Sequence, residues 1–373
     1  MKVVGAAEVG PEQWDDACRK SGWAWLFHHS GWLTLEERFF GHRSLSFALL
    51  DGDAVIGVHP LYRSDVGIGW IEKLLHSGIH RHTGLALIDD LSAATVSEAW
   101  ALAMGHVMDT ARTEDADRIQ LNSQNLCPYN LDHRRQEIPV WVRDYEFELG
   151  LNFGPNGMLP VPGMSTCCAD QIVALGPAAP ELFSGLDNSC RRAVRKAQAA
   201  GLEFEASGVA DVVAAYWELA QLAAQRTGEQ LPSPEYFEFL DLHLRPRGHT
   251  AMLFARDAGR RVAGLLLAID KTAVSYLGGV SNPDYLPMRV NDFLHWSAML
   301  WAKEQGHRHY RFGPAFPEVP ADWPIARVSR FKQKFGAHSA TTIQGSKFLK
   351  PEKYLEGGVA HLSRLCAPLA SPR

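Results

Sequence analysis

The chain has 373 residues, which is long enough for two domains that each bury a hydrophobic core. Hydrophobic residues make up 46% of it and charged residues 21%, a composition that excludes a disordered or fibrous protein. The formal net charge of -5 provides no overall positive field, so any polyanionic ligand has to be held by a local basic patch.

The start of the chain and its cysteines indicate a cytoplasmic protein. Acidic residues at Glu8, Glu12 and Asp15 rule out a secretory signal, and no apolar run approaches the ~20 residues that a membrane-spanning helix needs. The cysteines lack a Cys-x-x-Cys pair or a metal-binding spacing, so we expect reduced thiols and no metal site. They are Cys18, Cys127, Cys167, Cys168, Cys190 and Cys366.

The first half of the chain predicts a β-hairpin, a helix and a further strand. Apolar residues 45–50 and 54–62 flank an Asp-Gly turn at 51–53, which is a strong hairpin signal. Residues 97–112 have the helical period, and residues 118–122 follow them as a strand.

The second half repeats that order. Strands at 251–256 and 261–268 flank a turn, a helix runs over 290–305 up to a glycine, and a strand follows at 308–312. We therefore predict a duplicated domain of the α/β (α+β) class, with mixed, mostly antiparallel sheets flanked by helices.

Turn-forming segments rich in Gly and Pro, at 153–164 and 176–180, place the domain change between the two halves. The expected division is a first domain over 1–160, with an acceptor-side pocket, and a second over 161–350, with the donor site. Residues 351–373 are expected to pack on the first domain or to be disordered at their end.

A cationic helix is predicted at the start of the second domain. Asp187, Asn188 or Ser189 can cap it, Gly201 can end it, and apolar residues recur along one side. Its cations are Arg191, Arg192, Arg195 and Lys196. They suit phosphate binding, and the alternative is a solvated helix face.

A basic segment at residues 327–336 carries four cations among apolar residues that alternate well enough for a strand. Two interpretations fit it. The cations form a fixed positive surface suited to phosphate or developing negative charge, or they protect an edge strand from aggregation.

Four motifs, in this order and spacing, resemble the Fem-type peptidoglycan aminoacyltransferases and their FemAB/FemX-like relatives, which have tandem GNAT-like acyltransferase domains. They are residues 191–197 with Gly201, 282–285 with the following helix, 310–313 and 330–336. The resemblance implies an acyltransferase that forms an amide on an amine acceptor, with aminoacyl-tRNA as donor and no tightly bound cofactor.

The resemblance also implies roles for individual residues. Lys332 would be catalytic, stabilising charge that develops at the attacked ester, and the arginines of the cationic helix would contact phosphates. The substrate-binding residues implied are Arg191, Arg192, Arg195, Tyr285, Arg311, Arg330 and Lys334.

The segment before the helix at 290 bears on the donor. A CoA pyrophosphate is gripped by backbone N–H groups of a Gly-rich loop, whereas residues 285–292 have no glycine and include Pro287. Aminoacyl-tRNA is therefore favoured over acyl-CoA. It would rest on a basic C-terminal patch of Arg327, Arg330, Lys332, Lys334, Lys347, Lys350 and Lys353.

The acceptor stays open between a cell-wall precursor, another nucleotide-linked acceptor and a small amine, because no inserted coiled coil is present. His76, His80 and His82 indicate a pocket-lining loop rather than a metal site. No Gly-x-Ser-x-Gly elbow occurs, so direct transfer is expected, with Asp284, Asp292, Glu318 and Tyr285 as unranked candidates for a general base.

The sequence leaves two other functions open. One is an acyl-CoA-dependent N-acyltransferase of polysaccharide or secondary metabolism. The other is a non-catalytic adaptor that binds a nucleotide-linked ligand. The oligomeric state does not follow from the sequence.

Overall fold

A computed structural model describes residues 1–65, 73–78, 83–122, 126–133, 152–155, 157–161, 164–167, 169–206, 211–316, 319–341, 343–350 and 352. The chain divides into a first unit, Met1–Cys167 with Thr342–Arg373, and a second unit, Cys168–Thr341. This division differs from the predicted one at its end, because residues 343–348 pair with strands of the first unit. Of the predicted tail, only Glu352 lies among the described residues.

The helices, in chain order, are α1 (Ala6–Val9), α2 (Pro11–Lys20), α3 (Ser30–Phe40), α4 (Ala93–Thr113), α5 (Pro128–Asp132), α6 (Ala179–Gly185), α7 (Asn188–Ala199), α8 (Val212–Thr227), α9 (Pro234–Phe239), α10 (Val290–Glu304) and α11 (Pro324–Gln333). Shorter helical turns are Leu26–His28, Leu240–Leu244, Arg245–Arg247 and Pro283–Met288.

The strands are β1 (Lys2–Gly5), β2 (Arg43–Ser44), β3 (Phe47–Asp51), β4 (Ala54–His59), β5 (Tyr62–Ser64), β6 (Leu74–His76), β7 (Ala86–Leu87), β8 (Arg118–Asn122), β9 (Asn152–Pro155), β10 (Gly157–Val161), β11 (Met164–Cys167), β12 (Ala169–Ala174), β13 (Glu203–Glu205), β14 (Thr250–Asp257), β15 (Arg260–Asp270), β16 (Ala273–Ser281), β17 (His309–Ala315), β18 (His338–Thr341) and β19 (Ile343–Phe348).

The first unit contains two larger sheets and a hairpin. One sheet has the order β1-β3-β4-β7, the other has the order β2-β5-β6-β8-β19-β9, and β10 pairs with β11. The predicted hairpin is present as β3 and β4, where Gly52 adopts φ +60° in the turn. Strands β6 and β8 run parallel, and helix α4 lies between them in the chain.

The second unit is built on one sheet with the order β13-β14-β15-β16-β17-β12-β18. It also has a hairpin, β14 with β15, followed by a parallel pair, β16 with β17, that helix α10 separates in the chain. The predicted α/β class and the repeated order of elements are therefore confirmed.

The two faces of this sheet are covered by different helices. Ala263, Leu265 and Leu267 of β15 belong to a core that includes residues of α7 and α10. The intervening Gly264 faces the ring of Tyr216 in α8, whose Cδ2 lies 3.0 Å from an ideal Gly264 Cβ position. Because side chains alternate along a strand, α8 covers the face opposite to α7 and α10.

The prediction of a strand over residues 327–336 is wrong. Pro324–Gln333 forms helix α11, which buries Ala326, Ser329 and Lys332 at every third position. Pro324 at the first turn and Gly336, with φ +74° just past the end, are the start and stop signals of a helix. The alternation that suggested a strand is equally compatible with one apolar helix face.

Within the described residues, no helix combines the length and apolarity needed to cross a membrane.

Candidate active site

The sheet of the second unit has an opening between β16 and β17, the two neighbouring strands that run parallel and then diverge. Residues Ala273–Ser275 of β16 pair with His309–Arg311 of β17, but both strands continue past this pairing. Register shifts leave one extra residue in each strand just beyond it, Leu277 against β15 and Phe312 against β12. Bulges bend strands, so the pair of bulges explains the separation. Backbone edges on both sides of the opening are placed to meet a ligand.

Lys332 lies beside the diverging part of β17. The residue is only 9% exposed, and its Nζ donates a hydrogen bond to the Pro314 carbonyl oxygen at 2.7 Å. Gly313, at φ +77°, precedes that carbonyl, and its ideal Cβ position is 3.7 Å from Lys332 Nζ. The α11 helix therefore holds an ammonium group in a largely dehydrated position next to the opening, where it acts more strongly on charge than in water.

A buried ion pair also lies close to Gly313. Arg311 is 4% exposed and Asp170 2% exposed, and their side chains form an ion pair across β17 and β12. Asp170 Oδ1 is 3.9 Å from the ideal Cβ position of Gly313, so this carboxylate and the Lys332 ammonium flank the same residue. Arg311, which the sequence predicts to bind substrate, is placed to hold Asp170 and the bulged strand.

A second lysine of the segment is paired with an acidic residue of α10. Lys334 Nζ lies 2.5 Å from Asp292 Oδ1 and 4.1 Å from the ring centroid of Phe331. Asp292 is 5% exposed and belongs to the first turn of α10. Carboxylates are stabilised there by the helix dipole, so the chain places its own anion at this helix end.

His295 lies in the aromatic cluster beneath these lysines. Burial, together with the nearby Lys334 and Lys332 ammonium groups, lowers the pKa of His295 to about 3. Its Nδ1 is 3.0 Å from the hydroxyl of Tyr310, whose own pKa is raised by burial. A histidine with so low a pKa is neutral at pH 7 and is a poor proton acceptor, which excludes it as the general base.

Two tyrosine hydroxyls lie against the part of β16 that does not pair with β17. An ideal Cβ position on Gly278 would be 3.3 Å from Tyr216 Oη, and one on Gly279 would be 2.9 Å from Tyr276 Oη. Burial, with a smaller effect of the Glu229 carboxylate, raises the pKa of Tyr276 to about 12. These hydroxyls therefore stay protonated at neutral pH and serve as hydrogen-bonding groups.

The cationic helix is confirmed as α7, but its arginines differ in environment. The Arg191 guanidinium donates to the carbonyl oxygens of Ser184 and Leu186 and to Asn188, so it caps the end of α6. Arg192 and Arg195 are exposed, and Arg195 lies over the ring of Phe183 at 5.2 Å. Only these two present cations to solvent, among the three arginines predicted to bind phosphate.

A groove of about 430 Å³ joins the start of α7 to helix α11. Its lining residues are Asp187, Ser189, Arg327, Arg330, Phe331, Gln333 and Lys334. A backbone hydrogen bond of 2.9 Å from Asp187 N to Lys334 O ties the two elements together. The groove takes Asp187 and Ser189 from the α7 side, whereas its cations come from α11 and Lys334.

Tyr285, also predicted to bind substrate, lies in the Pro283–Met288 turn that leads into α10 and packs against the main core. Arg330 is exposed and donates through Nη2 to the Ala321 carbonyl oxygen at 3.1 Å. Of the four candidates for a general base, Glu318 lies outside the described residues, and Asp292 is engaged by Lys334.

Two polar clusters of the first unit bear on a possible metal site. His76 is fully buried, with Nε2 2.7 Å from Ser64 Oγ and Nδ1 accepting from Gly78 N, while His80 and His82 lie outside the described residues. Asp15, Cys18 and His29 bring possible metal-ligand atoms within 4.8 Å of one another. Asp15 already accepts hydrogen bonds from Ser30 N and Oγ, which fixes its carboxylate without a metal.

Comparisons with known proteins support the acyltransferase interpretation. Residues 185–323, which run from the last residue of α6 to the residue before α11, match the family model of the acetyltransferase (GNAT) domain. No curated protein sequence matches the chain.

Solved structures match along almost the whole chain. FemX superposes with a TM-score of 0.71 at 16% identity, covering 95% of this chain and 99% of FemX. The C-terminal domain of a putative lysylphosphatidylglycerol synthetase from Agrobacterium fabrum gives 0.57 at 13% identity, covering 95% and 96%. L-PGS from Bacillus licheniformis gives 0.56 at 12% identity, covering 97% and 98%.

These similarities confirm a FemX-like fold with GNAT-type acyltransferase architecture. Sequence reasoning found Lys332, Lys334 and the cationic helix, but it missed Asp170, His295 and Tyr276. No local signal marks those three residues, because their importance arises from contacts between strands and helices that are distant in sequence.

Proposed function

We propose that this protein is an aminoacyltransferase that moves an aminoacyl group from tRNA to an amine acceptor and forms an amide. The observation that carries the proposal is the buried Lys332 ammonium, held on the Pro314 carbonyl at the divergence of β16 and β17. A fixed cation beside an opening in the sheet suits a reaction in which negative charge develops on one oxygen. The cytoplasm is the expected location, since charged tRNA is available there.

The proposed reaction is a direct transfer. A neutral acceptor amine attacks the ester carbonyl carbon of the donor, and the carbonyl oxygen becomes negative as the tetrahedral intermediate forms. The ester C–O bond then breaks, the ribose oxygen takes a proton released by the amine, and the amide remains. Lys332 stabilises the negative oxygen, while the strand edges orient the two reactants.

The N-terminus of α10 favours the tRNA donor. Asp292 places a carboxylate in the first turn, where a pyrophosphate would need the free positive end of the helix. Arg289, rather than a glycine, precedes the helix in the left-handed conformation, at φ +65°. A diphosphate at this position would have to displace the ion pair that Asp292 forms with Lys334.

The groove between α7 and α11 supplies a different place for phosphates. Arg327 and Arg330 are exposed along it, on the same helix as Lys332. A single-stranded nucleic acid end with consecutive phosphates suits such a row of cations. The name of one structural relative points the same way, since lysyl is an aminoacyl group.

An acyl-CoA-dependent N-acyltransferase is the second candidate. It is favoured by the match of residues 185–323 to the acetyltransferase (GNAT) domain. The same opening and the same Lys332 would then serve a thioester donor, and the phosphates of CoA would have to bind away from Asp292.

Donor use distinguishes the two candidates. Purified protein is offered a mixture of charged tRNAs or, separately, acetyl-CoA, each with a panel of amines that includes glycinamide and Nα-acetyl-lysine. We expect amide formation from aminoacyl-tRNA to exceed the rate in buffer, with no release of free CoA from acetyl-CoA. Turnover of acetyl-CoA, with ester loss from tRNA at the buffer rate, contradicts the proposal.

Asp292→Asn and Lys334→Gln provide a check on the donor argument. Replacing both removes the resident ion pair while keeping side-chain size. If the Asp292 carboxylate excludes a pyrophosphate, this double variant binds CoA more tightly than the wild type does. Equal CoA affinity in the two proteins contradicts the claim that Asp292 excludes a pyrophosphate from the N-terminus of α10.

A further inference from the structure

A second cavity of the second unit lies on the opposite face of the sheet from α7 and α10. It measures about 550 Å³ and is formed by one side of α8 and the turn between β14 and β15. Its lining residues are Glu205, Ala215, Glu218, Leu219, Leu222, Arg256, Gly259, Arg260, Arg261 and Asn282. The proposed mechanism uses none of them.

The arginines of this cavity are not equivalent. Glu205 holds two of them, with distances of 2.5 Å to Arg261 Nη2 and 3.3 Å to Arg256 Nε, and Arg261 also lies over the Phe254 ring at 4.7 Å. Arg260 is exposed, and in the part of the chain that the structure describes no hydrogen bond or ion pair engages its guanidinium. The lining therefore carries three cations and two carboxylates, with one cation available to a ligand.

The floor of the cavity is apolar. Ala215, Leu219 and Leu222 follow one another at helical spacing on α8, and Leu222 remains 38% exposed. A ligand that fits this lining has an aliphatic part against the helix and an anionic group at Arg260. A carboxylate suits the planar guanidinium, which can bind it through two parallel hydrogen bonds.

The cavity is continuous with the carboxyl end of β16. Asn282, which lines it, directly follows that strand, and its N–H donates to the Val262 carbonyl oxygen at 2.9 Å. If the parallel pairing continued, Gly313 beside Lys332 would lie opposite Leu277. Asn282 lies five residue steps along the strand from Leu277, which corresponds to roughly 16 Å.

We propose that this cavity is a subsite for the acceptor, that its near edge at Asn282 lies roughly 16 Å along the strand from the reacting amine, and that it binds a carboxylate attached to an aliphatic group. That the ligand is the acceptor rests on the proposed function. The donor phosphates are assigned to the α7–α11 groove, and α8 covers the opposite face, so the two substrates approach the opening from different sides. A small amine alone cannot span the distance, so the acceptor is an extended molecule.

Binding of a probe tests the subsite without any turnover. N-acetyl-L-leucine carries the required carboxylate and aliphatic group, and N-acetyl-L-leucinamide lacks only the charge. By calorimetry or NMR titration of the full-length protein, we expect the acid to bind about tenfold or more tightly than the amide, since a charged hydrogen bond is lost.

Variants of the lining are expected to shift acid affinity in opposite directions. Arg260→Ala weakens binding of the acid about tenfold, whereas Glu218→Gln tightens it because a like charge is removed. Arg226→Ala, at an exposed arginine of α8 outside the cavity lining, is the matched control and leaves the affinity unchanged. Failure of the wild type to bind the acid, or equal binding by Arg260→Ala, overturns the proposal.

Steady-state kinetics test whether the acceptor is the ligand that occupies this subsite. With charged tRNA as donor, an extended amine that ends in a carboxylate is expected to have a lower KM than its amide, and Arg260→Ala is expected to remove that difference by raising the KM of the acid. If the acid and its amide have equal KM values, the acceptor assignment is wrong even though transfer occurs. If no transfer occurs and the probe still binds as expected, the proposed function fails and the anion site stands.

Discussion

Two titratable residues of the candidate active site, Lys332 and His295, are buried. Lys332 and His295 are 9% and 3% exposed; the Lys332 ammonium donates to the Pro314 carbonyl oxygen, and burial lowers the pKa of His295, so its imidazole is neutral at pH 7. The neutral imidazole lets the two lysines stand close to it without a third positive charge. Protonation of His295 would add that charge in a site that water cannot screen.

His295 is expected to make stability depend on pH. Its pKa is about 3 in the folded protein, against an ordinary value of 6.5, so between these values the unfolded chain binds the extra proton. The free energy of unfolding should therefore fall as the pH is lowered from 6.5 toward 3, by up to about 1.4 kcal/mol per pH unit from this group.

Urea unfolding of the wild type and of His295→Gln at a series of pH values measures this contribution. We expect the variant, although less stable at pH 7, to lose stability less steeply on acidification. His59, whose pKa burial lowers to about 4, titrates in both proteins and cancels in the comparison. Parallel pH curves for the two proteins contradict the assignment to His295.

At the scale of elements, a close backbone contact fixes the end of α11. An ideal Cβ on Gly336 would lie 2.8 Å from the carbonyl oxygen of Gly185 at the end of α6, and Gly336 has φ +74°. Gly306, which follows α10, has φ +88° but nothing within 4 Å of its ideal Cβ position. The two glycines thus share a backbone conformation and differ in surroundings.

Gly336→Ala and Gly306→Ala separate the two effects. Both substitutions are expected to lower the free energy of unfolding by roughly 1 kcal/mol through the left-handed backbone. Gly336→Ala should cost more, and should also reduce transfer activity, because a shifted α11 moves Lys332 from the Pro314 carbonyl. Equal losses in stability and activity for both variants contradict this role of the Gly185 contact.

The sequence specified elements well where the signals were local. The Asp-Gly turn predicted β3 and β4, and helix periodicity predicted α4, α7 and α10. It misassigned α11 because Phe331 and Phe335, four residues apart, fit one face of a strand as well as one face of a helix. Pro324 and Gly336, which are typical of a helix start and a helix end, distinguish the helix from a strand. The ion pairs of Asp170 with Arg311 and of Asp292 with Lys334 could not be predicted, because they join segments far apart in the chain.

For the whole molecule, charge is distributed unevenly. A chain with a net charge of -5 carries Arg327 and Arg330 along one groove, and a donor with many phosphates would be drawn there rather than to the surface in general. Such binding releases counterions and weakens as salt is added.

We expect the affinity for charged tRNA to fall linearly on a logarithmic scale with salt concentration. Arg327→Ala and Arg330→Ala should each reduce the slope by about 0.7 to 1, the contribution of one phosphate contact. Arg226→Ala, outside the groove, should leave the slope unchanged. If neither groove variant changes the slope, the tRNA phosphates do not bind at Arg327 and Arg330.

The central claim is that the Lys332 ammonium stabilises charge at the reacting ester, and a single-turnover measurement tests it. Lys332→Met is compared with Lys303→Met, because Lys303 Nζ also donates to a backbone carbonyl, that of Leu175 at 2.7 Å, but lies outside the opening. With aminoacyl-tRNA bound at saturation, we expect Lys332→Met to slow transfer by about 10²-fold or more, and Lys303→Met to change the rate by less than about threefold. Equal rates for Lys332→Met and the wild type would contradict the claim.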